Sequence, residues 1–334
     1  VVAVKDYAGT FDTHNCTIAP NGSDKIGGDT TDVTLREEGV SITLLFIDST
    51  QGWLVTDSGL QSEAPQATFI TATGGTITTV CTNYKVHTFT GPGTFTVCSV
   101  GNAAGSNTVD YLVVAGGGTG GSSVDGGAGG GGAGGYRESG GTASGCYTVS
   151  PLGSSPSPVA ALPVSAQGYP ITVGAGATGA PHGSTLSNGS NSIFSTITSA
   201  GGGFGGQGNN PGPTAATDGN PGGSGGGGYG YTTSVGGDSA GSGNTPPASP
   251  PQGNPGGAGV MSNSDAATQN GGVGGGATAA GVQPTPTSPS GSPYTTGPGG
   301  AGATSSINGT PTARAGGGGG GRRYGPTSPG GSGN

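Results

Sequence analysis

The sequence has little charge and few aromatic residues, which excludes several protein classes. Charged residues make up 7% and aromatic residues 5% of its 334 positions, whereas an ordinary globular domain has about 25% charged residues. The net charge is −8, so the chain lacks the basic surface of nucleic-acid binders, and we expect no nucleic-acid partner. No apolar run approaches the roughly 18–20 residues of a membrane span, so we expect no membrane insertion.

Catalytic and metal-binding motifs are also missing. The sequence contains no GxSxG, HExxH or Walker motif and no CxxC spacing. Ten of the sixteen acidic residues lie before residue 64 in turn-like contexts, and those in the glycine-rich part are widely spaced. They do not suggest the carboxylate pair of glycoside hydrolysis. We therefore expect neither an enzyme nor a cofactor.

Glycine is the abundant residue, with 81 copies beside 25 prolines. Collagen is excluded because it needs glycine at every third position, and the run GGAGGGGAGG at 126–135 breaks that rule. A flexible linker is the alternative for this composition, but we expect the glycine to be packed. The runs lie at 115–121, 126–135, 201–206, 222–230, 253–259, 271–276, 297–302 and 316–321.

Such runs predict extended helices that pack side by side. Glycine in an α-helix or an ordinary sheet loses backbone entropy without gaining side-chain burial. A left-handed extended helix with three residues per turn is the alternative, and without side chains its N–H and C=O groups can bond to neighbouring helices. We predict a polyglycine II bundle with long loops for residues 116–334, with true strands near 162–200.

Residues 1–60 form a first region of short apolar or β-branched stretches separated by turn residues, which is typical of a β module. One Trp and few large apolar residues give this region a small core, so we expect it to associate as a shaft-like homotrimer. The expected strands are Val1–Val4, Cys16–Ile18, Val33–Leu35, Val40–Ile47 and Trp53–Val55.

Residues 61–115 form a second region with alternating polar and apolar residues. The alternation over 83–97 predicts a hairpin that turns at Gly91-Pro92-Gly93, and the apolar run at 109–114 predicts a covered strand. We therefore predict a small β-sandwich here. The predicted fold class is all-β and fibrous.

The connections between glycine runs predict where a binding surface lies. If successive runs reverse direction, 207–221, 260–270 and 303–315 lie at one end, and the longer 231–252 and 277–296 lie at the other, followed by 322–329. The long set contains prolines, which lower the ordering cost of binding. Aromatic rings and guanidinium groups can bind glycans, whereas the structural alternative is that the tyrosines cap the bundle. The candidate receptor-binding residues are Tyr231, Tyr294, Arg322, Arg323 and Tyr324.

Several segments resemble known phage proteins. VKDYAGTFDTHNCTIAPNGSDKIGG and GVSITLLFIDSTQGWLV are similar to a module repeated in tail-associated proteins of marine cyanophages. YKVHTFTGPGTFTV, VDYLVVAGGGTGG, LPVSAQGYPITVGAGA and NSIFSTITSAGGGFGG resemble the entry to the glycine-rich domain of bacteriophage tail fibres. The resemblance spans most of residues 1–206 and continues to 334 as composition alone.

This resemblance implies a virion tail fibre or adhesin that acts outside the host cell. Its implied partners are other virion tail proteins and a host surface glycan or outer-membrane protein. Many long phage fibres bind iron through His-x-His motifs, but His14, His87 and His182 stand singly, so we expect no metal. The alternatives are a purely structural virion fibre, such as a neck, collar or capsid fibre, and a cell-made extracellular filament.

The cysteines allow two interpretations. Phage proteins assemble in a reducing cytosol, so the resemblance favours free thiols. If the cysteines are oxidised, Cys81 and Cys98, which flank the most strand-like segment, are the expected pair.

Overall fold

The chain folds into two compact units. Unit 1 comprises Val1–Thr68 with Gly101–Gly105, and unit 2 comprises Phe69–Val100 with Ser106–Asn334. A computed structural model describes residues 1–60, 67–102, 105–124, 126–143, 146–154, 158–179, 181, 184–208, 216–231, 239–260, 269–286, 294–295 and 297–322.

Unit 1 is all-β, as its alternation of β-branched and turn residues predicts. Its five strands are β1 (Val2–Lys5), β2 (Cys16–Ile18), β3 (Val33–Leu35), β4 (Val40–Asp48) and β5 (Gly52–Leu60). Strands β1, β4 and β5 form one antiparallel sheet, and β2 pairs with β3. Ile42 and Leu44 are the buried apolar residues among the described positions of this unit, so its core is small.

The Asp6 carboxylate organises the loop after β1. It accepts hydrogen bonds from the backbone N–H groups of Thr10 (3.1 Å), Phe11 (3.0 Å) and Gly39 (3.0 Å). Burial alone would raise the pKa of Asp6, but the backbone donors outweigh it and hold that pKa below its usual value. The loop therefore depends on an ionised Asp6.

Unit 2 begins with four strands, β6 (Thr71–Thr73), β7 (Thr76–Val80), β8 (Tyr84–Thr88) and β9 (Gly93–Ser99). The predicted hairpin over 83–97 is wrong, because β8 pairs with β7 and β9 pairs with β6. The turn lies instead at Cys81 and Thr82, which both have positive φ angles. The connection from β7 to β8 (81–83) is one residue shorter than the connection from β8 to β9 (89–92).

The remaining strands are short. They are β10 (Thr108–Val109), β11 (Leu112–Val114), β12 (Tyr136–Glu138), β13 (Leu162–Pro163), β14 (Gly168–Thr172), β15 (Ser192–Phe194), β16 (Ile197–Ser199), β17 (Thr285–Pro286), β18 (Tyr294–Thr295), β19 (Ala303–Ser305) and β20 (Thr312–Arg314). A single helical turn, α1, spans Pro151–Ser154. One sheet has the strand order β16-β15-β14-β9-β6 and packs around Phe95, Val97, Val164 and Tyr169. The predicted strands near 162–200 and the all-β class are confirmed.

The glycine runs form extended segments outside any sheet, and their hydrogen bonds repeat every three residues. In segment 127–136, the N–H groups of Gly129, Gly132 and Gly135 donate to the carbonyls of Gly206, Gly203 and Ala200, over 2.7–2.9 Å. The N–H groups of Gly130 and Ala133 donate instead to Gly272 and Gly275 in another segment. Residues three apart thus bond to the same neighbour, as a helix with three residues per turn requires.

Segment 222–230 lies at the centre of the bundle. Backbone hydrogen bonds connect it to six other segments, and all nine of its residues are buried. The six neighbours are 127–136, 200–206, 216–221, 239–245, 253–260 and 270–277. Segment 127–136 is bonded to five neighbouring segments, 115–121, 200–206, 222–230, 270–277 and 315–321, and its last residue, Tyr136, donates to the Gln252 carbonyl.

Close approach of backbones requires glycine at these positions. An added Cβ would lie 2.0 Å from the Gly131 carbonyl oxygen at Gly274, and 2.1 Å from the Gly272 carbonyl oxygen at Gly227. Because neighbouring backbones occupy that space, a side chain there would force two segments apart. The absence of Cβ atoms thus allows the inter-segment hydrogen bonds to form.

The predicted distribution of connections between two ends is wrong. Three segments with few glycines, 216–221, 239–245 and 279–285, also run through the bundle and return the chain. Consequently 200–206, 222–230 and 253–260 run parallel to one another. The bonds from Gly203 to Ser224 and from Gly206 to Gly227 show this for the first pair, and those from Gly225 to Asn254 and from Gly228 to Gly257 show it for the second. The chain does reverse direction from one segment to the next, but the bundle contains more segments than the sequence has glycine runs.

The prediction about the cysteines is also wrong. Cys81 and Cys146 form a disulfide across a sequence separation of 65 residues, whereas Cys16 and Cys98 are free. The bond attaches the β7–β8 turn to the segment that precedes α1. Sequence spacing contains no signal for this pair, because the two cysteines meet only once the glycine-rich part has folded.

We expect Gly121→Ala to destabilise unit 2 by about 2–3 kcal/mol, because its Cβ would lie 1.9 Å from the Gly206 carbonyl oxygen. The adjacent Gly120→Ala is the control: the nearest atom to its Cβ, the Gly129 carbonyl oxygen, is 3.9 Å away, so the expected loss is below about 0.5 kcal/mol. Denaturant unfolding of both variants measures the difference. Equal losses would contradict close packing of the segments.

We expect Cys146→Ser to lower the melting temperature of unit 2 by about 10 °C. Closing a 65-residue separation restricts the unfolded chain by about 4 kcal/mol. Cys98→Ser, at a free and exposed cysteine, is the control and should melt like the parent. A parent whose melting is unchanged by reductant would contradict this role for the disulfide.

Candidate functional site

One end of the bundle gathers the points at which the chain leaves and re-enters it. Gly121 pairs with Gly129, Gln207 with Thr217, and Val260 with Asn270. Arg322 in turn bridges to Asn270. We call this the connection end. The described residues on both sides of 209–215, 232–238, 261–268 and 287–293 lie there, as does Arg322, which precedes 323–334.

The connection end faces away from the point where the chain enters the bundle. Strand β11 (Leu112–Val114) leads directly into segment 115–121, and that segment runs towards the connection end. At the opposite end, the connections include the turn at 221–222, residues 246–252, the turn after segment 270–277 and the β19–β20 hairpin. The connection end is therefore the end of the bundle opposite strand β11.

A pair of stacked tyrosines lies at this end. The rings of Tyr229 and Tyr231 are 5.9 Å apart between centroids and inclined by 13°. Tyr229 is buried and its hydroxyl lies 3.0 Å from the Ser123 hydroxyl, so it closes the bundle. Tyr231 is half-buried and covers it. One tyrosine thus caps the bundle, as the structural alternative holds, while the other is accessible.

Polar side chains tie the segments together beside this pair. The Gln207 amide is buried, accepts a hydrogen bond from the Ser122 hydroxyl (3.1 Å) and donates one to the Ser184 carbonyl (3.2 Å). These contacts join three parts of the chain that are distant in sequence. The flanks of the connections are therefore held in fixed positions.

Two hydrogen-bond donors here lack partners within the described residues. They are the buried Asn270 Nδ2 and the Arg322 Nε. Asn270 is 2% exposed, and the backbones of the two residues bridge directly. A buried donor without an acceptor costs free energy, so the end carries polar groups that the described fold does not satisfy.

The structure brings the accessible site residues to one end. Tyr231 and Arg322 are half-buried there, and the backbone of Tyr294 pairs with Pro286 at the start of segment 297–302. The Tyr294 side chain, Arg323 and Tyr324 lie outside the described residues. Sequence reasoning missed Asn270 and Gln207, which no motif marks.

A second polar cluster lies at the opposite end and is closed to solvent. The Glu138 carboxylate accepts hydrogen bonds from the Tyr136 hydroxyl (3.0 Å) and the Ser150 N–H (3.0 Å), and Glu138 is 2% exposed. Burial, followed by the charge of Glu138, raises the pKa of Tyr136 well above its usual value. Burial likewise raises the pKa of Tyr147. The cluster holds the core together at this end of the bundle.

In the described ranges, no helix is long and apolar enough to cross a membrane. Within the same part of the chain, no group of three or more His, Cys, Asp or Glu side chains is arranged to hold a metal ion.

We expect unit 2 to lose stability as pH rises above about 10. Tyrosines in the unfolded chain ionise near pH 10, whereas folded Tyr136 and Tyr147 keep their protons to higher pH. Their contribution is therefore complete below pH 10 and is lost above it. Unfolding measured between pH 8 and 11 should show a smaller loss for Tyr136→Phe than for the exposed control Tyr84→Phe. Parallel pH profiles would contradict this.

Comparison with known proteins completes the description of the bundle. No curated protein and no solved structure matches the chain. A family model described as a glycine-rich domain matches residues 88–334, which is more than half of the chain and includes every extended segment. The chain therefore belongs to the glycine-rich domain family.

Proposed function

We propose that this protein is a bacteriophage tail fibre or spike component that attaches to the host cell through the connection end of its bundle. The observation that carries the proposal is the convergence of the described flanks of 209–215, 232–238, 261–268 and 287–293, with Arg322, at one end. A spacer does not need its long connections on one face. A binding protein does, because binding residues commonly lie on connections positioned by a rigid scaffold.

The chemistry of that end fits a glycan or the polar surface of an outer-membrane protein. Tyr231 presents an aromatic ring supported by Tyr229, and aromatic faces stack on sugars. Arg322 is half-buried at this end, and a guanidinium group suits hydroxyl, carbonyl and carboxylate acceptors. Tyr294, Arg323 and Tyr324 extend the proposed surface.

The bundle supplies the rigidity that such a surface needs. Its segments are joined by backbone hydrogen bonds on up to six sides, so the flanks of each connection are fixed before a ligand binds. Preorganisation of this kind lowers the entropy cost of binding. Within this proposal, the protein acts on the virion outside the cell, and unit 1, whose core is small, assembles as a homotrimer with other tail proteins.

The test replaces 209–215, 232–238, 261–268 and 287–293 with Gly/Ser sequences of equal length. Binding of the purified chain to a panel of bacterial strains first identifies a strain that the parent binds. We expect the replaced protein to bind that strain at least tenfold more weakly. The control replaces 307–310, in the β19–β20 connection at the opposite end, and should bind like the parent.

Folding must be the same in all three proteins, which their melting curves will show. Unchanged binding after replacement would contradict attachment through the connection end. Failure of the parent to bind any strain would favour the alternatives of a structural virion fibre or an extracellular filament.

A further inference from the structure

One side of segment 127–136 has no neighbour among the described segments. Because residues three apart point the same way, the N–H groups of this segment fall into three sets, and each set points in a different direction. One set donates to segment 200–206, and a second set donates to the carbonyls of Gly230, Gly272, Gly275 and Gln252. The third set, formed by Ala128, Gly131 and Gly134, donates no hydrogen bond to any described residue. A row of backbone donors therefore has no acceptor among the described segments.

The segments on either side of this row face the same space. On segment 115–121, an added Cβ at Gly117 or Gly120 would have its nearest atom 3.6 or 3.9 Å away, whereas at Gly118 or Gly121 the nearest atom is 2.3 or 1.9 Å away. The space available to an added Cβ therefore differs sharply between two sets of glycines on the same segment. Gly117 and Gly120 face open space, and Gly118 and Gly121 face a packed neighbour.

Segment 315–321 repeats this contrast from the other side. An added Cβ would lie 3.0 Å from its nearest atom at Gly318 and 3.2 Å at Gly321, but 2.2 Å at Gly317 and Gly320. The nearest atoms to Gly318 and Gly321 are the unpaired backbone nitrogens of Gly131 and Ala128. We call the space bounded by segments 115–121, 127–136 and 315–321 the open groove.

The chemistry of the open groove specifies its occupant. Donors from Ala128, Gly131 and Gly134 recur at three-residue intervals, about 9 Å apart in an extended helix. In segment 115–121, the carbonyls of Ala115, Gly118 and Gly121 accept no hydrogen bond from described residues. These three segments carry no charged residue. The groove therefore fits an uncharged chain with three residues per turn and small side chains, whose own N–H and C=O groups pair with both walls.

The same chain carries a segment with these properties on its surface. Segment 173–179, of sequence VGAGATG, runs along the edge of the bundle. Its hydrogen bonds go to two neighbours, from Ala177 N–H to the Gly117 carbonyl and from Ser190 N–H to the Ala175 carbonyl. Ala175, Gly176, Thr178 and Gly179 are exposed. An added Cβ would meet nothing within 3.9 Å at Gly176 and nothing within 4 Å at Gly179.

We propose that the open groove of one molecule receives segment 173–179 of a second copy of this chain. The incoming segment would accept hydrogen bonds from Ala128, Gly131 and Gly134 and occupy the sixth position around segment 127–136. Because the groove and the incoming segment are different surfaces, the contact is head-to-tail, and it continues from copy to copy unless a ring closes. Such association is independent of any assembly made by unit 1.

The test uses two full-length variants, each of which blocks one surface. Gly117→Leu with Gly120→Leu fills the open groove, and Gly176→Leu with Gly179→Leu enlarges the incoming segment; all four positions have room for a Cβ. Analytical ultracentrifugation should show a concentration-dependent larger species for the parent and at least a tenfold weaker association for either variant alone. Mixing the two variants should restore association, because each retains the surface that the other lacks.

Gly91→Leu, at a glycine with nothing within 4 Å of its Cβ and outside both surfaces, is the control and should associate like the parent. If a double variant melts below the parent, the single variants Gly120→Leu and Gly176→Leu replace it. A parent that does not associate, variants that associate like the parent, or a mixture that restores nothing would overturn the proposal. Association that appears only after deletion of 323–334 would overturn it too, in favour of the chain's own end as the occupant.

Discussion

Hydrogen bonding between bare backbones is the interaction on which this structure depends. An ordinary domain satisfies its backbone groups inside helices and sheets and obtains its cohesion from apolar side chains. In unit 2, by contrast, the cohesion of the bundle comes from N–H and C=O groups of adjacent segments, which meet because glycine has no Cβ. Two consequences follow: the interior contains almost no charge, and its few buried side chains, such as Ser224 and Gln252, are small or form hydrogen bonds.

The sequence predicted the principle of the bundle but not the number of its segments. Runs of glycine identify segments with neighbours on many sides, such as 222–230. A segment at the edge needs a small residue only where it faces inward, once in three positions. Segment 216–221 shows this, since Gly219 is buried while Thr217 and Asp218 are exposed. In the sequence such segments look like loops. The prediction therefore did not count them as segments of the bundle, and it assigned the connections between glycine runs to the wrong ends.

The remaining differences arise from long-range contacts. Local alternation correctly marked β8 and β9 as strands, but pairing depends on which partner lies nearby, and the Thr-rich β7 was overlooked. The disulfide between Cys81 and Cys146 joins positions that approach only in the folded unit. At the candidate site, residue chemistry identified Tyr231 and Arg322, whereas Asn270 and Gln207 matter because of where the bundle places them.

The uniformity of the glycine segments makes their alignment degenerate. A chain of repeated glycine that slides by one turn, about 9 Å, recreates the same hydrogen bonds with its neighbour. The rare side chains within the bundle remove this degeneracy, because each fits at one level only. The Tyr229 ring lies where an added Cβ at Gly126 or Gly208 would collide with it, and the Gln252 amide accepts a hydrogen bond from the Ala200 N–H at 2.8 Å. These few residues therefore determine the register of the bundle, so that among several equally bonded alignments the chain adopts one.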